Sequence, residues 1–363
     1  MNNNINHGGD LDLIEKNYNI PKNEIIDFSG NINPLGFPEN LKNELSKNID
    51  IISIYPDKTY TKLKKSISIY TNSNIENIIV GNGSTELIST FVKTIQPKKT
   101  IIIAPVYSEY EKEVSICKSE IKYFELKEKN NFEIDLDKLL FEITNKIDMI
   151  IICNPNNPTG AIMTSKQIEI LATHCKKTNT FIMIDETYIE FSENIEKISS
   201  TFITNKFDNI FVIRGIAKFF SAPGIRLGYA ICSNKKFLNN FNSLQNPWSV
   251  NIFASFIGER IFEETDFIEK SKSLISEERK KALLKLSEFK NIKAYNSQSN
   301  FILLKLLTNK INSSKIFEIL IKQKMLIRNA ENFKFLDNNY IRFCLLKPEQ
   351  NKKLLYELEN IIE

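Results

Sequence analysis

Lys218 is the lysine whose surroundings set it apart. It sits in Gly215-Ile216-Ala217-Lys218-Phe219-Phe220, whereas most lysines of the chain lie among Asn, Glu and other Lys. Apolar neighbours favour the neutral amine, a nucleophile able to form an imine with a carbonyl; a surface lysine that snorkels out of an apolar patch is the alternative. Upstream, the run Phe181 to Ile184 ends in Asp185-Glu186-Thr187-Tyr188. An acid at the end of a buried strand loses hydration unless a cation or proton donor meets it, and a surface ion pair is the plainer reading.

Other apolar runs also end in polar, specific segments. Ile78 to Val80 leads into Gly81-Asn82-Gly83-Ser84-Thr85-Glu86 and then a helix. Glycines let backbone approach an anion, and the Ser84 and Thr85 amides at a helix start can hold a phosphate, although the spacing fits neither a dinucleotide fingerprint nor a Walker A and an ordinary capped turn is the alternative. Thr100 to Ala104 leads into Pro105-Val106-Tyr107-Ser108-Glu109-Tyr110, with aromatics to stack on a planar ligand. Met149 to Cys153 leads into Asn154-Pro155-Asn156-Asn157-Pro158-Thr159-Gly160, a rigid turn, and Asn209 to Ile213 leads into the Lys218 segment and on to Arg226-Leu227-Gly228-Tyr229. A lysine for an imine, an acid for a pyridinium nitrogen, a stacking aromatic, an Asn and a Tyr for a phenolic oxygen, and a helix start with an Arg for a phosphate are the groups pyridoxal phosphate requires.

The elements that must position these groups are short Ile- and Val-rich runs alternating with helical stretches, including Glu86 to Ile95, Glu109 to Ile116 and Ser165 to Lys177. Strands apolar on both faces and separated by helices predict a doubly wound α/β sheet, mostly parallel, with ligands at its carboxyl ends. Beyond Pro247 the pattern changes: helices over Asn251 to Glu263 and Asp266 to Leu286, then strand Asn300 to Lys305, helix Ser313 to Lys322, strands Leu326 to Arg328 and Tyr340 to Leu345, and helix Lys347 to Ile362. This predicts a smaller second α/β domain, as does a length of 363 residues.

Composition removes whole classes. The 48 Lys and Arg nearly balance 44 Asp and Glu, so nucleic acid is not a predicted partner. Two His and five Cys without C-x-x-C spacing exclude an ordinary zinc site and suit a reduced, cytoplasmic setting. No stretch has the length of a signal peptide core or a membrane span.

From Ile26 to Lys352 the sequence resembles fold-type I pyridoxal-phosphate enzymes of the aminotransferase class I/II superfamily. The motifs that carry the resemblance are Asn154-Pro-Asn-Asn-Pro-Thr-Gly160, Asp185-Glu-Thr-Tyr188, and Lys218 followed by Arg226 before Leu-Gly-Tyr. It implies an N-terminal arm (1–40) packing with the small domain, a large cofactor domain (41–247) and a small C-terminal domain (248–363). It further implies Lys218 as the covalent cofactor lysine and proton carrier, Asp185 at the pyridine nitrogen, Asn157 and Tyr188 at the ring oxygen, Tyr107 stacked on the ring, and Ser84, Thr85 and Arg226 at the phosphate. Tyr55 would reach into the partner's site in a homodimer. The superfamily's usual hydroxyl residues three before and directly before the lysine are Gly215 and Ala217 here, which weakens the phosphate grip.

Within the superfamily the sequence is most similar to threonine-phosphate decarboxylases of cobalamin biosynthesis, through His7-Gly8-Gly9, Phe28-Ser29-Gly30-Asn31-Ile32-Asn33-Pro34-Leu35-Gly36 and Pro247-Trp248-Ser249-Val250-Asn251. Histidinol-phosphate aminotransferases come next. The resemblance implies a phosphorylated amino acid substrate, O-phospho-L-threonine or O-phosphoserine, with Arg342 on its carboxylate, Arg328 as a second anion contact, and His7 and Asn31 near its phosphate. A solvated tail histidine is the alternative for His7. Two other functional readings stand beside decarboxylation: amino transfer from histidinol phosphate to 2-oxoglutarate, and a degenerate homologue that binds a ligand without catalysis.

Overall fold

The computed structural model describes residues 8–363. Seven strands form the large sheet: β1 (Ile78–Asn82), β2 (Lys99–Ala104), β3 (Glu120–Glu125), β4 (Met149–Cys153), β5 (Phe181–Asp185), β6 (Ile210–Gly215) and β7 (Leu227–Ile231), in the spatial order β1-β7-β6-β5-β4-β2-β3. The pairs from β6 through β5, β4 and β2 to β3 are parallel, while β7 runs antiparallel to both its neighbours. The sheet is therefore mostly parallel, with one reversed strand that the sequence pattern does not distinguish.

Alternation along the strands explains why both faces are covered. Ile150 and Ile152 of β4 join a core with Ile168 and Leu171 of the helix Ser165–Lys177, whereas Met149 and Ile151 join Leu87 and Phe91 of the helix Gly83–Ile95. The predicted helices over Glu109–Ile116, Ser165–Lys177 and Ser313–Lys322 have those bounds. Edge strand β3 is absent from the sequence reading because only Phe124 of its residues is buried, and it includes Glu120, Lys122 and Glu125.

The second, antiparallel sheet consists of β8 (Ile292–Ala294), β9 (Phe301–Leu306), β10 (Arg328–Asn329) and β11 (Tyr340–Cys344), ordered β10-β11-β9-β8. The expected strand Leu326 to Arg328 is two pieces: Met325–Leu326 pairs in parallel with Ile26–Asp27, and Arg328–Asn329 pairs with β11. The helix expected over Asn251 to Glu263 ends at Gly258, followed by a 3-10 turn at Ile261–Glu263. The pairing with Ile26–Asp27 leads the chain toward the gap between the sheets, where the site lies.

Candidate active site

The carboxyl ends of β2, β4, β5 and β6 face β10 and β11 across a cavity of about 160 Å3. Tyr107, Asn157, Asp185, Tyr188 and Lys218 line it from the large sheet, Arg328 and Arg342 from the small one, and Gly8 and Ser29 to Asn31 from the amino-terminal segment.

Lys218 stands three residues past the end of β6, and its Nζ donates to the Gly30 carbonyl at 2.7 Å. Burial, and then the Arg342 guanidinium, pull its amine down to about 8. An amine that titrates there offers a neutral nucleophile close to neutral pH.

Asp185 closes β5 and is 5% exposed. Its Oδ2 accepts from the Tyr110 hydroxyl at 2.7 Å; its Oδ1 accepts from the Thr187 amide at 2.9 Å and the Thr187 hydroxyl at 2.5 Å. Burial raises its carboxyl above the ordinary range, and the bonds from Thr187 and Tyr110 oppose that rise. Among the described residues, no cation is among the groups that act on it. Tyr188, buried and with its phenol raised by burial, accepts from Asn31 Nδ2 at 3.2 Å. Tyr107 meets Tyr110 edge to face, with centroids 5.7 Å apart, and burial followed by Glu109 pushes its phenol up to about 12.

Arg328 and Arg342 are direct register partners on β10 and β11, and both are buried. Like charges directly opposite in a sheet are unfavourable, so this pairing stores affinity for an anion. Burial and then Arg342 pull Arg328 down to about 9. Arg342 donates to Asn157 Oδ1 at 2.5 Å and to the Ser29 carbonyl at 2.6 Å, while its Nε has no partner among the described residues; the buried Asn31 Oδ1 has none among them either. Arg328 donates to Asn332 at 2.7 Å.

The helix Gly83–Ile95 begins beside this cavity. Gly83 has φ +76°, and a Cβ there would lie 2.5 Å from the Arg226 guanidinium; a Cβ on Gly228 would lie 2.6 Å from the Ser84 nitrogen. The absence of side chains at these two glycines thus lets Arg226 and the first turn of the helix, with Ser84 and Thr85, close on one spot. Arg226 acts electrostatically on both Tyr107 and Lys218, so that spot adjoins the cavity without lining it. Tyr55 is elsewhere, 78% exposed and with its ring 4.8 Å from that of Trp248. His7 lies outside the described residues.

Sequence reasoning missed Tyr110 and Thr187 as the donors to Asp185, and Ser29 and Gly30 as the carbonyls that receive Arg342 and Lys218. The Asp-x-Thr spacing is a readable side-chain-to-backbone turn signal, and Tyr110 lies one helical turn beyond Tyr107. The two carbonyls leave no mark on residue type.

These residues fit pyridoxal phosphate. Asp185, which among the described residues has only neutral donors, suits a protonated ring nitrogen; Lys218 suits the aldehyde; Asn157 and Tyr188 suit the ring oxygen; Arg226 with the Ser84 and Thr85 helix start suits the phosphate. Gly215 pairs with Gly228 in the β6–β7 ladder and, like Ala217, offers no hydroxyl, so a phosphate there would be held by the helix start and Arg226.

Comparison with known proteins agrees with this geometry. The family model described as Aminotransferase class I and II matches residues 23–358. The chain is 36% identical over 358 residues to the adenosylcobalamin biosynthesis bifunctional protein CobDQ of Leptospira interrogans, covering 98% of this chain and 41% of that one. It is 30% identical to the threonine-phosphate decarboxylase of Salmonella typhimurium, covering 98% and 96%. The crystal structure of the histidinol-phosphate aminotransferase from Clostridium acetobutylicum superposes with a TM-score of 0.86 at 32% identity, covering 92% of this chain and 98% of that one. The chain therefore belongs to the aminotransferase class I and II family of pyridoxal-phosphate-dependent enzymes.

Proposed function

We propose that this protein decarboxylates O-phospho-L-threonine to (R)-1-amino-2-propanol O-2-phosphate and carbon dioxide. The observation that carries the reading is the register pair Arg328 and Arg342, two buried guanidiniums facing the same cavity as Lys218. Among the described residues, three cations face a cavity whose acidic lining residue is Asp185, a balance that suits a substrate bearing both a carboxylate and a phosphate. Similarity to the Salmonella decarboxylase and to a cobalamin biosynthesis protein supports that substrate, and O-phosphoserine fits the same charges.

Bound pyridoxal phosphate supplies an electron sink for bond cleavage at the substrate α-carbon. Arg342, with its unpartnered Nε, takes the carboxylate and fixes its direction. Arg328 and Asn31 hold the phosphate end, together with His7. Lys218 Nζ, titrating near 8, delivers a proton to the α-carbon that the carboxylate leaves. Tyr55, exposed beside Ile52, Ile54 and Trp248, belongs to a surface that a second copy covers, from which it reaches the partner's cavity.

Incubation with phosphothreonine is expected to release carbon dioxide without forming glutamate from 2-oxoglutarate. Glutamate formation from histidinol phosphate, with no carbon dioxide from phosphothreonine, would establish the second reading instead, which the Clostridium neighbour favours. Borohydride is expected to fix the cofactor on Lys218, read as a mass increase on its peptide. Failure to take up cofactor at all would point to the non-catalytic reading.

A further inference from the structure

Two of the cavity's cations are held by consecutive peptide carbonyls. Ser29 O accepts from Arg342 at 2.6 Å, and Gly30 O accepts from Lys218 Nζ at 2.7 Å. The turn that carries those carbonyls is closed by one side chain that does not line the cavity: Asp27 Oδ1 accepts both the Ser29 amide at 2.7 Å and the Ser29 hydroxyl at 2.6 Å, an Asx turn. Its other oxygen lies against Gly30, where an added Cβ would be 2.9 Å from it.

The same turn receives the amino-terminal segment. The Gly9 amide donates to Ser29 Oγ at 2.8 Å, and a Cβ on Gly8 would lie 2.2 Å from the Ser29 carbonyl oxygen. The turn is anchored from below as well, since Phe28 donates to Leu326 O and accepts from Cys344 N, both at 2.8 Å. Asp27 thus stands where the amino-terminal segment, the small sheet and both cations converge.

We propose that Asp27 is a positioning residue that fixes the Ser29–Gly30 turn, and that through it Asp27 sets the Arg342 grip on the substrate carboxylate and the charge state of Lys218. The first half rests on the decarboxylase reading; the second depends only on this chain. Facing Lys218 are Arg342 and Arg226, which lower its amine, and Cys344 and Asp27, which raise it. Removing the Asp27 charge therefore lowers the pH at which that amine loses its proton.

Asp27→Asn keeps a turn-closing oxygen and removes the charge; Asp27→Ala removes both. In the full chain before cofactor is added, the rate at which acetic anhydride labels Lys218 is followed against pH by mass spectrometry. The midpoint, near 8 in the parent, is expected to fall in both variants. With cofactor present, Asp27→Ala is expected to raise KM for phosphothreonine about tenfold, the scale of one lost charge-assisted contact, while Asp27→Asn stays near the parent KM. A parental labelling midpoint in Asp27→Asn overturns the charge role, and a parental KM in a folded Asp27→Ala overturns the turn-fixing role. If Asp27→Ala does not fold, a rise in KM in Ser29→Ala, which removes the hydroxyl linking Asp27 to Gly9, supports the turn-fixing role and a parental KM refutes it. Should the parent not act on phosphothreonine while the labelling midpoint still shifts, the decarboxylase reading fails and the role of Asp27 toward Lys218 stands.

Discussion

Asp185 and Glu186 are consecutive, both carboxylates are buried, and they stand on opposite sides of the end of β5. Glu186 is complete within the chain. Its Oε2 accepts from Arg214 Nε at 3.0 Å and from the same guanidinium's terminal nitrogen at 2.8 Å, and its Oε1 accepts from the Ser200 amide at 2.5 Å. Burial works against the charge on Arg214, yet Glu186, Tyr229 and Glu190 hold that guanidinium above its ordinary range. Asp185, by contrast, has two hydroxyls and an amide and no cation among the described residues. A fork on one side and neutral donors on the other distinguish a carboxylate that braces the strand ends from one that, in the proposed site, would meet a cation of the ligand.

Removing one partner of the complete pair is expected to have the largest effect. Glu186→Ala leaves Arg214 buried without its main counter-ion, which costs about 3–5 kcal/mol. Urea unfolding reads this directly. Asp185→Asn, made in parallel, is expected to keep parental stability, since no cation is orphaned. Equal destabilisation by the two changes would erase the distinction.

The next effect is a pH dependence on the braced side, carried by Glu190. Glu190 lies 3.8 Å from Arg214 through Oε1, its Oε2 has no partner among the described residues, and burial raises its carboxyl to about 7 from an ordinary 4.5, with Arg214 opposing. Between those values the folded protein holds a proton that the unfolded chain has released. Stability therefore falls as pH rises through that window, by about 3 kcal/mol in all, and the contribution is flat below it. Glu190→Gln is expected to lack that decline in unfolding free energy measured from pH 4.5 to 7; a parental slope in the variant would assign the decline to other groups.

On the ligand side the same logic predicts a binding defect without a folding defect. Asp185→Asn removes the charge that a protonated ring nitrogen requires, and hydrogen bonds to charged groups contribute about 1.5–3 kcal/mol, or roughly 10- to 100-fold in cofactor affinity. Equilibrium titration with pyridoxal phosphate measures it. Parental affinity in the Asn variant would mean that the ring nitrogen is met by something other than Asp185.

How far this contrast was legible in the sequence follows from its causes. An acid at the end of Phe181 to Ile184 announces itself, because apolar runs mark buried strands and a charge at their end demands a partner. An ion pair was the plainer reading of that acid, and an ion pair exists there, but it is made by the next residue, Glu186, with Arg214, and it is buried. Sequence alone does not say which of two adjacent carboxylates faces which side. Lys218 was legible for the same reason as Asp185, through its apolar neighbours. Arg328 and Arg342 entered only through family resemblance, since their direct pairing depends on the register of β10 with β11. Edge strand β3 and the carbonyls of Ser29 and Gly30 were not legible, the first because partial exposure mimics a loop, the second because a backbone acceptor is the same in every residue.

The smallest expected effect tests whether the neutral donors around Asp185 tune it for its cation. The Thr187 hydroxyl and amide both donate to Oδ1, and both lower the carboxyl against the rise that burial imposes. Thr187→Val fills the same volume, keeps the amide bond and deletes the hydroxyl bond, about 1 kcal/mol or some fivefold in cofactor affinity. The carboxyl then rises further, so the ionised form that a ring cation needs is lost at higher pH, and the acid limb of cofactor binding moves upward. Thr187→Ser, which keeps the hydroxyl, is expected to restore both the affinity and the position of that limb. If the Val variant binds cofactor with parental affinity and an unmoved acid limb, the hydroxyl merely closes the turn, and the distinction between Asp185 and Glu186 must rest on the missing cation alone.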